Sequence, residues 1–124
     1  MRHSLYLGFV IAFWSAPRDG SRPFGPLVQD ADGTLYGVAQ QGGDLSCPGF
    51  PNPGFPNPEF PERGCGTVFR ISKDRVLSIV HTISGGAAGA VPQAGLLRDG
   101  AGNLYGTTVR GGKSDNGTVF STSN

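Results

Sequence analysis

Two stretches of the chain carry the same motif, LVQDADGTLYG at residues 27–37 and LLRDGAGNLYG at residues 96–106. They align at an offset of 69 positions with six of eleven residues identical, where unrelated stretches would share about one. A second motif, GTVF, occurs at residues 66–69 and 117–120, at an offset of 51. The sequence therefore contains an internal repeat with a 51-residue unit, and its first copy carries 18 extra residues.

The composition is that of a small protein rich in turns. The chain has 124 residues, of which 21 are glycine and 10 are proline, and many of the glycines recur at equivalent positions of the two copies. Charged residues make up 15% and the net charge is +1. Such a chain lacks the basic surface that neutralises nucleic-acid phosphates, so we expect no nucleic-acid partner.

The repeat predicts strands, because glycine interrupts every window in which apolar residues could follow helical periodicity. The predicted strands of the first copy are 25–29, 34–39, 67–71 and 76–83. Tight turns are expected at residues 30–33, at Gly102-Asn103 in the second copy and at Lys73-Asp74. Strict alternation within 76–83 would place four side chains on one face, Leu77, Ile79, His81 and Ile83. Four antiparallel strands in about 50 residues are typical of a propeller blade.

The repeat also predicts the organisation of the chain. Residues 1–22 are the last strand of a preceding unit or a signal-like segment, residues 23–91 are the first unit, and residues 92–124 are an incomplete second unit. The apolar run at 5–13 is too short for a transmembrane helix, so no integral membrane protein is expected. Closed propellers contain about four to eight blades, so about two units predict an all-β open or partial propeller. Such a chain would be a fragment of a longer protein, would associate with other copies of itself, or would remain an open pair of sheets.

Residues 95–120 resemble the unit of the bacterial GloVer tandem-repeat family, which reads approximately GLxxDxxGNLYGTTxxGG…GxGTVFKL. Residues 26–70 match the same pattern around the insertion, with Val38-Ala39 where the family has two threonines. The resemblance implies an all-β, propeller-like architecture in exported proteins without an established catalytic activity. It assigns no functional residue to this chain.

Two cysteines occur at the ends of the inserted segment, which spans about residues 44–64. The second copy lacks both, with Asn116 at the position of Cys65. A disulfide between Cys47 and Cys65 would close a loop of about 19 residues and stabilise the fold by about 3 kcal/mol. It predicts an oxidising, extracellular, cell-surface or periplasmic location. The weaker alternatives are a zinc site with His81 and His3, and a Cys-His nucleophile with His81, since the sequence has no C-x-x-C pair and no paired histidines.

The insertion itself contains three consecutive pentamers, PGFPN, PGFPN and PEFPE, at residues 48–62. Each pentamer places one aromatic side chain in a proline-rich turn, Phe50, Phe55 and Phe60. These side chains are the candidate binding residues, for a protein surface, a peptide or a glycan. The alternative is a duplication tolerated at the tip of a loop.

No other pattern indicates catalysis or a cofactor. Asp30-Ala31-Asp32-Gly33 resembles the start of a calcium loop, but the glycine and glutamate that such a loop requires are replaced by Leu35 and Gln41. The favoured hypothesis is therefore a non-catalytic scaffold or interaction module without catalytic, metal or cofactor residues. The alternatives are a carbohydrate-binding module that stacks sugars on Tyr36, Tyr105, Trp14 or the loop phenylalanines, and a fragment of a propeller enzyme whose catalytic residues lie elsewhere.

Overall fold

The computed structural model describes residues 20–44, 46–47 and 64–122. These residues form eight strands and one short 3-10 turn, without an α-helix among them. The strands are β1 (Ser21–Gln29), β2 (Leu35–Gln41), β3 (Thr67–Ile71), β4 (Leu77–Thr82), β5 (Ala90–Pro92), β6 (Leu97–Arg98), β7 (Leu104–Arg110) and β8 (Thr118–Thr122). The all-β prediction is confirmed.

The strands form two antiparallel sheets. The first sheet has the order β1-β2-β3-β4, so neighbours in sequence are neighbours in space. In the second sheet β7 pairs with β8 on one side and with both β5 and β6 on the other. Both sheets are therefore simple meanders built from hairpins.

Equivalent strands of the two sheets keep the offsets of the sequence motifs. β7 begins and ends 69 positions after β2, and β8 begins and ends 51 positions after β3. β5 and β6 together span residues 90–98, which lie 69 positions after β1. The gap between β5 and β6 falls where β1 shifts register, between Phe24 and Val28. The two copies of the motif thus adopt the same local structure.

An aspartate and a tyrosine close the first hairpin of each sheet in the same way. Asp30 accepts a hydrogen bond at Oδ1 from the Thr34 N–H, 3.1 Å, and at Oδ2 from the Tyr36 hydroxyl, 2.9 Å. Asp99 accepts the equivalent bonds from the Asn103 N–H and the Tyr105 hydroxyl, both 2.9 Å. The turns were predicted, and these bonds explain why the motif keeps aspartate six residues before tyrosine.

Hydrogen bonds to the ionised carboxylates lower the pKa of two turn aspartates. The Asn103 backbone N–H and side-chain amide, followed by the Tyr105 hydroxyl, lower the pKa of Asp99 to about 2. The pKa of Asp32 also falls to about 2, through its hydrogen bond with Asp30 and its bonds with Thr34. The Asp99 carboxylate therefore stabilises its turn in the charged form.

A glycine in the middle of β2 and of β7 makes room for an aromatic ring on one face of each sheet. A Cβ atom added at Gly37 would lie 2.6 Å from Phe69 Cζ and 2.7 Å from a Leu27 methyl carbon. At Gly106 it would lie 2.5 Å from Phe120 Cζ, with Leu96 3.0 Å away. The LYG and GTVF motifs are thus two halves of one packing arrangement.

The opposite face of the first sheet packs against the second sheet. Tyr36, Val38 and Val68 of the first sheet form one buried cluster with Leu96 and Leu104 of the second. Three partly buried side chains pack around this cluster, Val28, Val80 and Phe120. We call this contact the inter-sheet junction.

The predicted alternation of β4 is only partly right. Phe69 pairs with Ile79, but Val68 pairs with His81, so the register shifts by one residue between them. Alternation already places Val80 on the side of the inter-sheet junction, so the residue that the bulge displaces is His81, which pairs with Val68 and remains exposed. Leu77 and Ile79 pack with Phe69 as expected, whereas Ile83 joins a separate cluster beyond the end of the strand.

Among the described residues, no helix is long and apolar enough to cross a membrane. Residues 1–19, on which the expectation of a preceding strand or signal-like segment depends, lie outside the described part of the chain.

Replacing Gly37 with alanine tests the packing of the two motifs. The new methyl group would displace the buried Phe69 ring, and overpacking of this kind costs about 1–3 kcal/mol. Gly100→Ala is the matched control, because a Cβ there meets nothing within 4 Å and the first copy already has Ala31 at the equivalent position. Urea unfolding should show a lower free energy of unfolding for Gly37→Ala but not for Gly100→Ala. Equal stability of the two variants would contradict this packing.

Acid should weaken the hairpins through the aspartates with lowered pKa. Since Asp99 has a lower pKa in the folded state, its contribution is complete above the unfolded pKa and is lost as the pH falls toward about 2. The urea midpoint of the protein should therefore fall between about pH 5 and about pH 2. The fall should be smaller in Asp99→Asn, which does not titrate, and an identical fall in both proteins would contradict the assignment.

Candidate functional site

The insertion leaves the first sheet at a turn that both copies share. The Gly66 N–H donates to the Gly42 carbonyl at 3.2 Å, and the Gly117 N–H donates to the Gly111 carbonyl at 3.0 Å. The glycine doublets 42–43 and 111–112 have positive φ. The additional residues therefore extend a turn between β2 and β3 whose base is unchanged.

The two cysteines at the base of the insertion are bonded to each other, as predicted. Their Cα atoms are 5.8 Å apart, a separation typical of disulfides. The Gly64 N–H also donates to the Cys47 carbonyl at 2.9 Å. Asp44 accepts hydrogen bonds from the Ser46 hydroxyl and N–H, which lower the pKa of Asp44. We call residues 42–44, 46–47 and 64–66 the neck of the insertion.

The disulfide also belongs to the core between the sheets, which the sequence did not reveal. Cys47 and Cys65 are buried in one cluster with Ile83, Ala90 and Val91 of the segment that joins the sheets. The Val91 N–H donates to the Cys65 carbonyl at 2.8 Å. The neck is thus attached to the scaffold from two directions, along its own sheet and across to the next.

Phe50, Phe55 and Phe60 lie outside the described residues. The structure therefore gives the position of the neck from which the pentamers extend, beside the start of β3 and the 83–91 connection. Their assignment as binding residues stays a prediction.

The equivalent turn of the second sheet is closed by a charged pair. Asp115, with φ of 55°, accepts a bond from the Gly111 N–H at 2.7 Å and from an Arg110 Nη at 3.0 Å. The Arg110 guanidinium and the Gly111 N–H lower the pKa of Asp115. A short turn with its own internal bonds thus stands where the first sheet carries the disulfide and the insertion.

An uncharged face of the second sheet remains exposed. Leu97 is 69% exposed, Val119 is 79% exposed and Tyr105 is 37% exposed, and Val109 lies on the same face. The other strand positions of this face are Thr107 and Ser121, also exposed. We call the set Leu97, Tyr105, Val109 and Val119 the open face.

The two repeated tyrosines, both named above as possible sugar-stacking residues, have different surroundings. Tyr36 is 1% exposed and lies in the inter-sheet junction, whereas Tyr105 is on the open face. Both hydroxyls bond to the aspartate of their turn. The hydrogen bond to Asp99 raises the pKa of Tyr105.

The described residues contain no cluster of three or more His, Cys, Asp or Glu side chains that could hold a metal ion. Oδ1 of Asp30 and Oδ1 of Asp32 each accept a hydrogen bond from the Thr34 N–H. Both carboxylates therefore stabilise the turn between β1 and β2. The described cysteines are bonded to each other, and the His81 ring lies beside Phe120 with centroids 6.4 Å apart.

The sequence did not lead us to expect the hydrogen bond between aspartate and tyrosine in each repeated turn, or the open face. The hydrogen bonds could have been inferred from the sequence, because the pattern D-x-x-G-x-L-Y recurs in both copies. The open face had none, since Tyr36 and Tyr105 occupy the same position of the motif.

Comparisons with known proteins give no match: no protein-family model, curated protein or solved structure is significantly similar to this chain.

Proposed function

We propose that the chain is a non-catalytic scaffold of an exported bacterial protein, built from propeller-like β-repeat units, that presents surfaces for interaction. The observation that carries this proposal is the way the two equivalent sheets pack. One face of the first sheet meets the opposite face of the second in the inter-sheet junction. Such packing of unlike faces can be repeated by further units, which is the principle of a repeat scaffold.

The neck of the insertion supports a role in presentation. Its disulfide, its hydrogen bonds and its contacts with the 83–91 connection hold a long segment on a turn of the sheet. Binding segments are commonly loops positioned by a rigid scaffold. We propose the phenylalanines of the insertion as the presented residues, for a protein partner.

The disulfide also supports export. A buried disulfide that joins the neck to the core persists in oxidising compartments and is rare in the reducing cytosol. We therefore propose an extracellular, cell-surface or periplasmic location.

A carbohydrate-binding module is the second candidate, favoured by the exposed Tyr105 ring on the open face. Aromatic rings stack on sugar faces when they are accessible. Tyr36 is buried and unsuitable for this role. The third candidate is a piece of a propeller enzyme whose catalytic residues lie outside this chain.

Replacing residues 44–65 with the short turn 113–116 of the second copy tests the scaffold proposal. Loss of the disulfide should cost about 3 kcal/mol, partly offset by about 1.5 kcal/mol from the shorter loop. The variant should therefore keep its β-sheet circular dichroism and unfold cooperatively, with reduced stability. A variant without folded sheets would contradict the idea that the insertion decorates an independent scaffold.

Glycan-array binding by the wild-type protein and by the loop-replacement variant distinguishes the scaffold from the lectin candidate. A scaffold for protein partners should give no glycan signal above background in either form. Glycan binding that falls in Tyr105→Ala, with Tyr105→Phe as the control that keeps the ring, would establish the lectin candidate instead. The variant Phe50→Ala/Phe55→Ala/Phe60→Ala tests the insertion in the same assay.

A further inference from the structure

Residues 118–121 of β8 have no strand partner on their outer side among the strands that the structure describes. β8 pairs with β7 on one side, and the order of the second sheet places none of the described strands on the other. We call residues 118–121 the β8 edge. The side chains of Val119 and Ser121 are exposed, so the edge is accessible from the side of the open face.

The other edge strands of the two sheets carry features that discourage pairing with a further strand. β1 contains Pro23 and Pro26 and shifts register between Phe24 and Val28. β4 contains a bulge, β5 has three residues and ends at Pro92, and β6 has two residues. Proline, bulges and short length are means by which proteins protect the edges of their sheets.

The β8 edge carries none of these features. The register between β8 and β7 continues without a shift along the whole strand. The edge includes neither proline nor a charged residue, and its sequence is TVFS. β-Branched and aromatic residues of this kind favour strands. Among the described strands, β8 is therefore the one best suited to accept a further strand.

The first sheet shows what occupies the equivalent position. β3, which corresponds to β8 at the offset of 51, pairs antiparallel with β4 along the side that β8 leaves open. β4 has the sequence LSIVHT, without a carboxylate, lysine or arginine. Its Ile79 pairs with Phe69 and packs against it. Since Phe120 corresponds to Phe69, a strand on the β8 edge needs an apolar residue beside Phe120.

Phe120 offers a fixed apolar surface to such a residue. Its ring is partly buried and packs against both the inter-sheet junction and the cluster that contains the disulfide. The His81 ring lies beside it, with centroids 6.4 Å apart. The fold thus already holds the ring that an added strand would contact.

We propose that the β8 edge binds an extended segment of a partner protein, which adds to the second sheet as its fourth strand. The segment is uncharged, runs antiparallel to β8 and places an apolar residue beside Phe120, because β4 has these properties on β3. In this mode of binding the backbone hydrogen bonds supply affinity and alternate side chains supply specificity. The inference rests on the proposed scaffold function and adds a class of partner to it.

A synthetic peptide with the sequence of residues 76–84 tests this binding, because it contains β4. The peptide carries a fluorescein label and two additional lysines for solubility, and it is titrated with the full chain. Fluorescence anisotropy should rise to saturation. A peptide with Ile79→Lys should bind roughly tenfold more weakly, since it lacks the apolar residue for Phe120.

A peptide with Ser78→Pro/His81→Pro is the matched control for strand pairing. Proline has no N–H to donate to a neighbouring strand, and the two positions differ in the direction of their N–H groups along an extended strand. This peptide keeps Ile79 and should show no saturable binding.

Hydrogen exchange of the full chain locates the bound peptide. With the unmodified peptide present, outward-facing amides of the β8 edge should exchange more slowly. Amides of β1 and β3 should exchange at the same rate with and without the peptide.

Four results would overturn the proposal. Absence of saturable binding removes the site, and equal binding of the proline peptide excludes strand pairing. Slower exchange in β3 shows that the peptide displaces β4 instead. Slower exchange of the β8 edge in the chain alone, increasing with protein concentration, shows that a second copy occupies the edge. None of these results bears on the scaffold proposal, which the loop replacement tests separately.

Discussion

The structure depends on the contact between one face of the first sheet and the opposite face of the second. A small antiparallel sheet gains stability when an apolar face packs on another element. The cluster of Tyr36, Val38, Val68, Leu96 and Leu104 provides that packing for both sheets. The glycine of each LYG motif serves the same end from within the sheet, because it lets a phenylalanine ring and a leucine lie flat against the strand.

The insertion is compatible with this arrangement because it enters at a turn that the packing does not require. The base of that turn is the same in both copies, although one continues into the disulfide and the other into the Asp115 turn. The disulfide then adds the neck to the core at the connection between the sheets. A long segment rich in proline and phenylalanine can thus be carried by a scaffold whose strands it leaves unchanged, which is what a presenting role requires.

Local features were predictable from the sequence, and tertiary ones were not. The offsets of 69 and 51, the glycine turns and the pairing of Cys47 with Cys65 follow from comparing the two copies. Burial does not follow, because Tyr36 and Tyr105 are the same residue of the same motif and differ only in whether another sheet covers them. The bulge opposite Val68 similarly breaks a clean alternation, because it places His81 on the side of Val68 instead of the side of Ile79.

Native-state hydrogen exchange under increasing denaturant tests most directly whether the two sheets are one cooperative unit. Amides of Val38 in β2 and Leu104 in β7 report on the two sides of the inter-sheet junction. If the junction holds the fold together, both should exchange with the same opening free energy, equal to that of global unfolding. A β7 amide that exchanges through a separate opening, while β2 stays protected, would show that the sheets fold independently and would contradict this account.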